Sequence, residues 1–159
     1  MMTVGERMGR FNGRRLDEHG QTMVEFALAL PVLLLILVGT VMFGVALSNY
    51  ATLTFATNAA AQQLSFSRGP SGDPCNLTAT TLQKAAPGLN SSNLKYTIVL
   101  NGVTAANNVA SPTCSGDQSD LVVSETASVT VTYPCNLQVL TYNPAPSCLL
   151  TAQTSVIIQ

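Results

Sequence analysis

The strongest constraint on this chain is an uncharged, apolar run from Phe26 to Leu47. Its twenty-two residues contain no Asp, Glu, Lys or Arg and are rich in Leu and Val. At about 1.5 Å per residue, a helix of this length extends about 33 Å, which is enough to cross the hydrocarbon core of a bilayer. The sequence therefore predicts one membrane-spanning helix near the N-terminus.

The residues on either side of this run predict its orientation. Basic residues precede it at four positions: Arg7, Arg10, Arg14 and Arg15. The first basic residue after it is Arg68. Because positively charged flanks stay in the cytoplasm, we expect a cytoplasmic N-terminus and an extracytoplasmic C-terminal part. A secretory signal peptide is the alternative, but its apolar core is only about 7 to 15 residues long, and the small residues 59–61 lie beyond its usual cleavage position.

Composition divides the chain into four segments. Residues 1–20 combine the arginines with four glycines and lack apolar periodicity, which is typical of a basic cytoplasmic leader. Residues 21–67 are predicted to form the transmembrane helix and an amphipathic continuation. Residues 68–74, rich in Gly, Pro and Ser, predict a linker. Residues 75–159 are predicted to be a small exported β-rich domain, because the remaining length allows one compact domain.

The helical pattern continues beyond the apolar run. Small and apolar residues recur there at spacings of three and four, in two sets: Leu53, Ala56, Ala60 and Leu64, and also Phe55 and Ala59. This periodicity predicts an amphipathic helix. Its apolar face requires a partner, which is either the outer domain of the chain itself or a neighbouring subunit.

The outer segment predicts one short helix and a small antiparallel sheet. Asn76 is a candidate N-cap for a helix from Thr78 to Ala86, which Pro87-Gly88 would end. Alternating apolar and polar residues predict three strands: 94–101, 121–133 and 150–158. In the second of them, Glu125 alone interrupts the apolar face.

The stretch between the first two predicted strands has two interpretations. Asn101-Gly102 could turn a hairpin, but the segment from Ala105 to Asp120 is long and polar, so we expect a loop held by Cys114. The expected fold class is α+β, with a long N-terminal helix followed by a disulfide-linked antiparallel β-sheet domain that carries one short helix.

The four cysteines all follow the apolar run, in a region rich in Asn, Ser, Thr and Pro. An even number of cysteines in an exported segment predicts disulfides, whereas four reduced thiols in a cytosolic domain is the alternative. We favour Cys135 with Cys148 and Cys75 with Cys114, although three connectivities fit the sequence. A zinc site is not expected, because the chain has no CxxC pair and its one histidine, His19, precedes the apolar run.

Composition also limits the function. Charged residues make up 9% of the chain and the net charge is -1, so no basic surface for nucleic acid is expected. The predicted exported part has no histidine, no carboxylate cluster and no glycine-rich phosphate loop after a strand. We therefore expect neither an enzyme nor a metal, cofactor or small-molecule substrate.

One polar motif stands at the start of the apolar run. Gly20 and Gln21 are followed by Glu25 and Phe26, so a carboxylate lies at the edge of a hydrocarbon segment. A charge at the centre of a membrane helix costs about 2.5 to 3.5 kcal/mol and less near the interface, so such a group usually has a partner. The simpler interpretation is that Glu25 marks the wet edge of an ordinary anchor.

The motif resembles the class III signal peptides of type IV pilins, and more closely the TadE-like family of the tight-adherence (Tad) pilus systems. The resemblance covers about residues 15–65, while the outer domain shares only its architecture and its last strand, 150–159. It is carried by these residues: Gly20-Gln21, Val24-Glu25-Phe26-Ala27-Leu28, Pro31, the leucine run, Gly39 and Phe43-Gly44.

The resemblance implies a processed subunit of the bacterial inner membrane. A prepilin peptidase would cut between Gly20 and Gln21 on the cytoplasmic side, and Glu25, with Phe26 beside it, would set the register of assembly by pairing with the new amino terminus of an adjacent subunit. Pro31 would kink the helix, since it removes the hydrogen bond to the Ala27 carbonyl. The implied partners are other pilin-like subunits and the pilus assembly platform.

Two interpretations compete with a bulk filament subunit. A signal-anchored exported envelope or binding module would keep its leader and tolerate change at Glu25. A minor pilin-like subunit, acting as an initiator, tip or assembly factor, would explain the outer domain, because major Tad-type pilins are much shorter chains.

Overall fold

The computed structural model describes residues 17–68, 72–114, 121–135 and 145–159, with residues 137 and 143, and side chains from Gly20 onward. Most of the predicted leader therefore lies outside the described residues. The chain forms two compact units, Met1–Val41 and Met42–Gln159. The predicted α+β class is confirmed, since a long apolar helix precedes a four-stranded antiparallel sheet with a short helix and two disulfides.

The first element, α1, runs from Asp17 to Ser65 and continues through Pro31. In the first unit nearly all of its described side chains are exposed, including Leu28 and Leu35 at 73% each. The helix is long and apolar enough from Gly20 onward to cross a membrane. An apolar surface of this extent is stable only in lipid or against other apolar surfaces.

The last part of α1 belongs to the second unit and carries one buried face. Leu53, Ala56, Ala60 and Leu64 are fully buried and join the hydrophobic core of the sheet, so the predicted amphipathic face is confirmed and its partner is the outer domain of the same chain. Polar contacts also hold this part of α1, because the Gln159 N–H donates to the Ser65 carbonyl at 3.1 Å. Phe55 lies on the other side and is 68% exposed.

The short helix α2 runs from Pro74 to Ala85, so its predicted start was wrong. Asp73, and not Asn76, is the N-cap, and its carboxylate accepts the Asn76 N–H at 3.0 Å. Pro74 fits the first helical position, where its missing N–H is no loss. The predicted stop is confirmed to within one residue, as Ala86 caps the C-terminus before Pro87.

The sheet has the order β2-β1-β3-β4, with every neighbouring pair antiparallel. Its strands are β1, Lys95–Leu100; β2, Val103–Val109; β3, Thr126–Pro134; and β4, Leu149–Ile157. Tyr96, Ile98 and Leu100 of β1 point into the core, and Ala127, Val129, Val131 and Tyr133 of β3 lie beside them. The buried face of α1 belongs to the same hydrophobic core as this apolar layer.

Strand β2 corrects the prediction of a loop from Ala105. Asn101 and Gly102 have positive φ values of 50° and 76°, the conformation of a type I′ hairpin turn. The turn brings Val103 opposite Leu100 and pairs β2 with β1. The predicted loop begins only after Val109, and its described part extends to the buried Cys114.

Strand β3 begins five residues later than predicted. Leu121 is buried, but Val123 is 44% exposed and Ser124 has a φ of 69°, so a turn interrupts the alternation. Glu125 therefore precedes the strand and interrupts no apolar face. The last predicted strand is confirmed as β4, with Ala152 and the adjoining Ile158 buried.

Two disulfides link the outer unit in the favoured connectivity. Cys75 pairs with Cys114 and Cys135 with Cys148, with Cα separations of 5.5 and 5.4 Å. The first connects the start of α2 to the loop after β2, and the second joins the ends of β3 and β4. Each is expected to contribute about 2–4 kcal/mol by restricting the unfolded chain.

Candidate functional site

The polar motif at the edge of the apolar run lies on the first turns of α1. Gln21 Nε2 donates a hydrogen bond to Glu25 Oε1 at 3.2 Å, across one helical turn. Gly20, Gln21, Val24 and Glu25 line one shallow depression. The four-residue spacing places Gln21 and Glu25 on the same helix face. Gly20 and Gln21, the predicted cleavage positions, thus lie next to the Glu25 carboxylate.

The Glu25 carboxylate has spare capacity for a cation. Apart from the Gln21 amide, it has no hydrogen-bond or ion-pair partner among the side chains described from Gly20 onward. An ionised carboxylate offers about four acceptor sites. Phe26 follows it and is 68% exposed, so the charge lies directly beside apolar surface. The arrangement suits an ammonium or guanidinium group that approaches at the membrane edge.

Among the described residues, the glycines on α1 have no packing role. A Cβ added at Gly20, Gly39 or Gly44 would meet no atom within 4 Å. Glycine inside a helix destabilises it by roughly 0.5–1 kcal/mol relative to alanine. The close contacts that would justify a glycine at these positions are therefore absent from the described fold of a single chain.

The apolar stretch contains one hydroxyl that the helix itself satisfies. Thr40 Oγ1 donates to the Leu37 carbonyl at 2.8 Å. A threonine that hydrogen-bonds to its own backbone is tolerated in a hydrocarbon environment, because no polar group is left unpaired. The stretch remains suitable for a bilayer over its whole length.

Comparison with protein families gives a match over the segment that contains the Gly20–Glu25 motif and the apolar run. The family model of TadE-like proteins matches residues 20–62. Residues 20–62 are TadE-like. The match begins at Gly20, includes the Glu25 motif and the apolar run, and ends at residue 62 near the end of α1; it leaves out the outer domain, residues 75–159. No curated protein and no solved structure gave a significant match to the chain.

The TadE-like match confirms the family that the sequence motif resembles. The proteins of that family are pilin-like, related to the Tad pilus and typically structural. One apolar helix near the N-terminus fits a single-pass membrane protein of this kind. The roles of Gly20, Gln21, Glu25, Phe26 and Pro31 stay predictions, as do the boundaries of the four predicted segments.

One group of potential metal ligands occurs among the described residues. A carboxylate oxygen of Asp73 and the sulfurs of Cys75 and Cys114 all lie within 4.8 Å of one another. The two sulfurs form a disulfide, and the Asp73 carboxylate accepts the backbone N–H groups of Asn76 and Cys114 at 3.0 Å each. The group therefore fastens α2 to the loop after β2, and in this state its sulfurs are not free to bind a metal.

Sequence reasoning missed Asp73. Its carboxylate caps α2 and holds the backbone of Cys114, 41 residues away along the chain. The available signal was the Asp-Pro pair, since an acidic N-cap followed by proline at the first helical position is a common start of a helix. The long-range contact to Cys114 has no counterpart in local sequence.

Proposed function

We propose that this TadE-like chain is a minor pilin-like (pseudopilin) subunit of a Tad-type pilus or secretion apparatus. It is processed by a prepilin peptidase and contributes to pilus assembly, adhesion or secretion. The observation that carries the proposal is the family match, which begins at Gly20 and includes Glu25, a carboxylate without an ion-pair partner in the described chain.

The environment of Gly20 supports cleavage between Gly20 and Gln21. A protease generally binds its substrate in an extended form, so the start of α1 must unwind locally. Gly20 favours this step because it is a poor helix former, and it has no side chain to exclude the backbone from a narrow active site. Cleavage here would remove residues 1–20 and leave Gln21 as the new amino terminus.

Glu25 would then serve as the register group of assembly. A new α-amino group on one subunit would pair with the Glu25 carboxylate of its neighbour, at the edge of the apolar helix. Burying both charges together avoids leaving either of them unpaired in lipid. A buried ion pair adds little net stability but strongly disfavours wrong neighbours, so its main effect would be on the order and register of subunits.

The outer unit supports export and a specialised role. Two disulfides within one small unit fit an oxidising compartment, as expected if residues 75–159 lie outside the inner membrane and the N-terminus is cytoplasmic. A folded domain of this size would occupy space on the surface of any filament. It therefore fits a minor subunit that initiates, caps or assists assembly together with other pilin-like subunits and the assembly platform.

The test is the N-terminus and intact mass of the protein extracted from membranes, with and without the prepilin peptidase. We expect a start at Gln21 that disappears when the peptidase is absent. Gly20→Val should block cleavage, whereas the matched variant Gly44→Val should be cut normally, because neither position has a neighbouring atom that the new side chain would strike. A chain that still begins near Met1 in both strains would support the signal-anchored envelope or binding module instead.

A further inference from the structure

The outer edge of β4 is a second candidate contact surface, distinct from the membrane helix. β4 ends the sheet, and its register with β3 is unbroken from Leu149 to Ile157. Among the described residues, no group hydrogen-bonds to the free edge of β4 itself; just beyond it, the Gln159 N–H donates to the Ser65 carbonyl. The edge of a strand presents a row of unpaired N–H and C=O groups that can accept another strand.

The hydrogen bonds at the two ends of β4 show which residues face this edge. The Cys135 N–H donates to the Cys148 carbonyl, and the Ile158 N–H donates to the Glu125 carbonyl. Antiparallel pairs alternate, so the even-numbered residues of β4 point their backbone groups at β3. The backbone groups that point away belong to the odd-numbered residues: Leu149, Thr151, Gln153, Ser155 and Ile157. The side chains of these residues are all exposed.

The two edges of the sheet are protected differently. β2 has two register shifts against β1, and Asn108 has a φ of 52° with its N–H turned to Thr97 Oγ1. Such irregularities make an edge a poor template for another strand. β4 has no charge, no proline and no bulge over nine residues. Of the two edges, β4 alone is suited to extension of the sheet.

The sequence of β4 matches itself in reverse. In an antiparallel pair centred on Gln153, apolar Leu149 lies opposite apolar Ile157, and Thr151 lies opposite Ser155. The inner-face residues also match in reverse: Leu150 with Val156, and Ala152 with Thr154. The odd-numbered residues that would lie opposite each other all direct their backbone N–H and C=O groups away from β3, so each opposed pair of them would be a hydrogen-bonded pair. The apolar ends, 63% and 60% exposed in one chain, would cover each other.

We propose that β4 is a self-association edge, at which the second copy of the chain pairs its own β4 antiparallel, centred on Gln153. The interface is isologous, with the same residues contributed by both copies, and it closes as a dimer. It joins two four-stranded sheets into one continuous sheet. The proposal rests on the outer unit alone and does not depend on processing at Gly20.

Introduced cysteines test both the contact and its register. The cysteines of the structure are all in disulfides, so one added thiol is unique. In the proposed pair, Gln153 lies opposite itself at about 5.5 Å between Cα atoms, a distance that suits a disulfide. The sheet already contains such a cross-strand bridge at Cys135 and Cys148, with a Cα separation of 5.4 Å.

The full chain is oxidised mildly in detergent micelles, which impose no common direction on two membrane helices. Gln153→Cys should give a disulfide-linked dimer. Thr151→Cys alone should stay monomeric, because its own counterpart lies about 14 Å away along the strand. A mixture of Thr151→Cys with a size-tagged Ser155→Cys chain should give the mixed dimer. If Gln153→Cys stays monomeric while its thiol still reacts with maleimide, or if Thr151→Cys alone dimerises equally, the proposal is wrong.

A charge on the edge provides an independent readout without cross-linking. Gln153→Lys places two ammonium groups opposite each other and should lower the dimer fraction in micelles about tenfold. The matched variant Thr104→Lys adds the same charge at an exposed position on the β2 edge and should leave dimerisation unchanged. A loss with Thr104→Lys but not with Gln153→Lys would assign the contact to the other edge and overturn the proposal.

Discussion

Asp73 offers the sharpest test of how the outer unit is held together. Its carboxylate is bonded to two backbone N–H groups, those of Asn76 and Cys114, at 3.0 Å each. Both N–H groups donate to the same oxygen, Oδ1, so Asp73→Ala removes both hydrogen bonds at once. Asp73→Asn is the matched control, because the amide keeps an oxygen in the same place and asparagine is as good an N-cap as aspartate.

The expected loss is the sum of two local effects. Removing an N-cap costs about 1 kcal/mol. The Cys114 N–H would also lose its hydrogen-bond acceptor. Cys114 is only 4% exposed, and an unsatisfied buried donor costs about 1–3 kcal/mol. We therefore expect Asp73→Ala to lower the free energy of unfolding by about 2–4 kcal/mol. With a urea dependence of about 2 kcal/mol per molar, the midpoint falls by about 1–2 M.

The assay is urea unfolding of the full chain in micelles, followed by tyrosine fluorescence. All four tyrosines lie after Val41, so the signal reports the second unit, which includes the last part of α1. Asp73→Asn should stay within about 1 kcal/mol of the parent chain. An Asp73→Ala midpoint equal to that of the parent, or an Asp73→Asn loss as large as that of Asp73→Ala, would refute the assigned role of the carboxylate.

Three further expectations concern the same unit. Leu64→Ala should cost about 2–5 kcal/mol of stability by urea unfolding, whereas Phe55→Ala, on the exposed side of α1, should change it by less than about 0.5 kcal/mol. Burial raises the pKa of Tyr96 above its ordinary 10.0, so stability should fall as pH rises past about 10 and Tyr96→Phe should weaken that fall. A small thiol should reduce Cys135–Cys148 before the more deeply buried Cys75–Cys114, as peptide mapping after alkylation will show.

Each of these expectations can be contradicted directly. Equal losses for Leu64→Ala and Phe55→Ala would mean that α1 does not contribute its assigned face to the core. The sign for Tyr96 follows because the folded state binds its proton more tightly than the unfolded state, and an alkaline loss unchanged by Tyr96→Phe would place the titrating group elsewhere. Simultaneous reduction of both disulfides would show that burial does not govern their access to thiols.

Periodic patterns predicted most of the long elements. The apolar run is continuous and needs no tertiary information to be identified as a membrane helix. Apolar residues recur with helical spacing from Leu53 to Leu64, and apolar and polar residues alternate along β3 and β4. Both patterns arise because each of these elements buries one face against the same core. The reverse pairing of β4 with itself is likewise visible in the sequence once the ends of the strand are known.

Strand β2 could not be predicted in the same way, because its side chains carry no alternating pattern. Only Ala106 is buried, and the polar Asn107 and Asn108 are exposed at the edge. Its conformation is set by the Asn101-Gly102 turn and by hydrogen bonds to β1, which do not depend on side-chain hydrophobicity. The late start of β3 has a similar cause, since apolar residues continue through a turn that the positive φ of Ser124 imposes.

At the candidate site, the sequence placed a carboxylate beside apolar surface but could not supply its partner. The spacing of Gln21 and Glu25 predicts a shared helix face, and the amide contact follows from it. The proposed cation is the amino terminus of another subunit, created only after cleavage, so neither the sequence nor the fold of one chain contains it. Gly20, Gly39 and Gly44 are similar in that no atom of the residues that the structure describes explains their lack of a side chain.

The hydrogen bond between Gln159 and Ser65 has a practical consequence for labelling. It places the last residue beside the end of α1, so anything attached after Gln159 begins next to the point where the helix ends. A fluorophore or epitope fused there would report the position of the helix end and could obstruct neighbouring helices. The exposed turn at Asn101-Gly102 is a better insertion point, because it connects two strands of the outer unit and takes no part in its core.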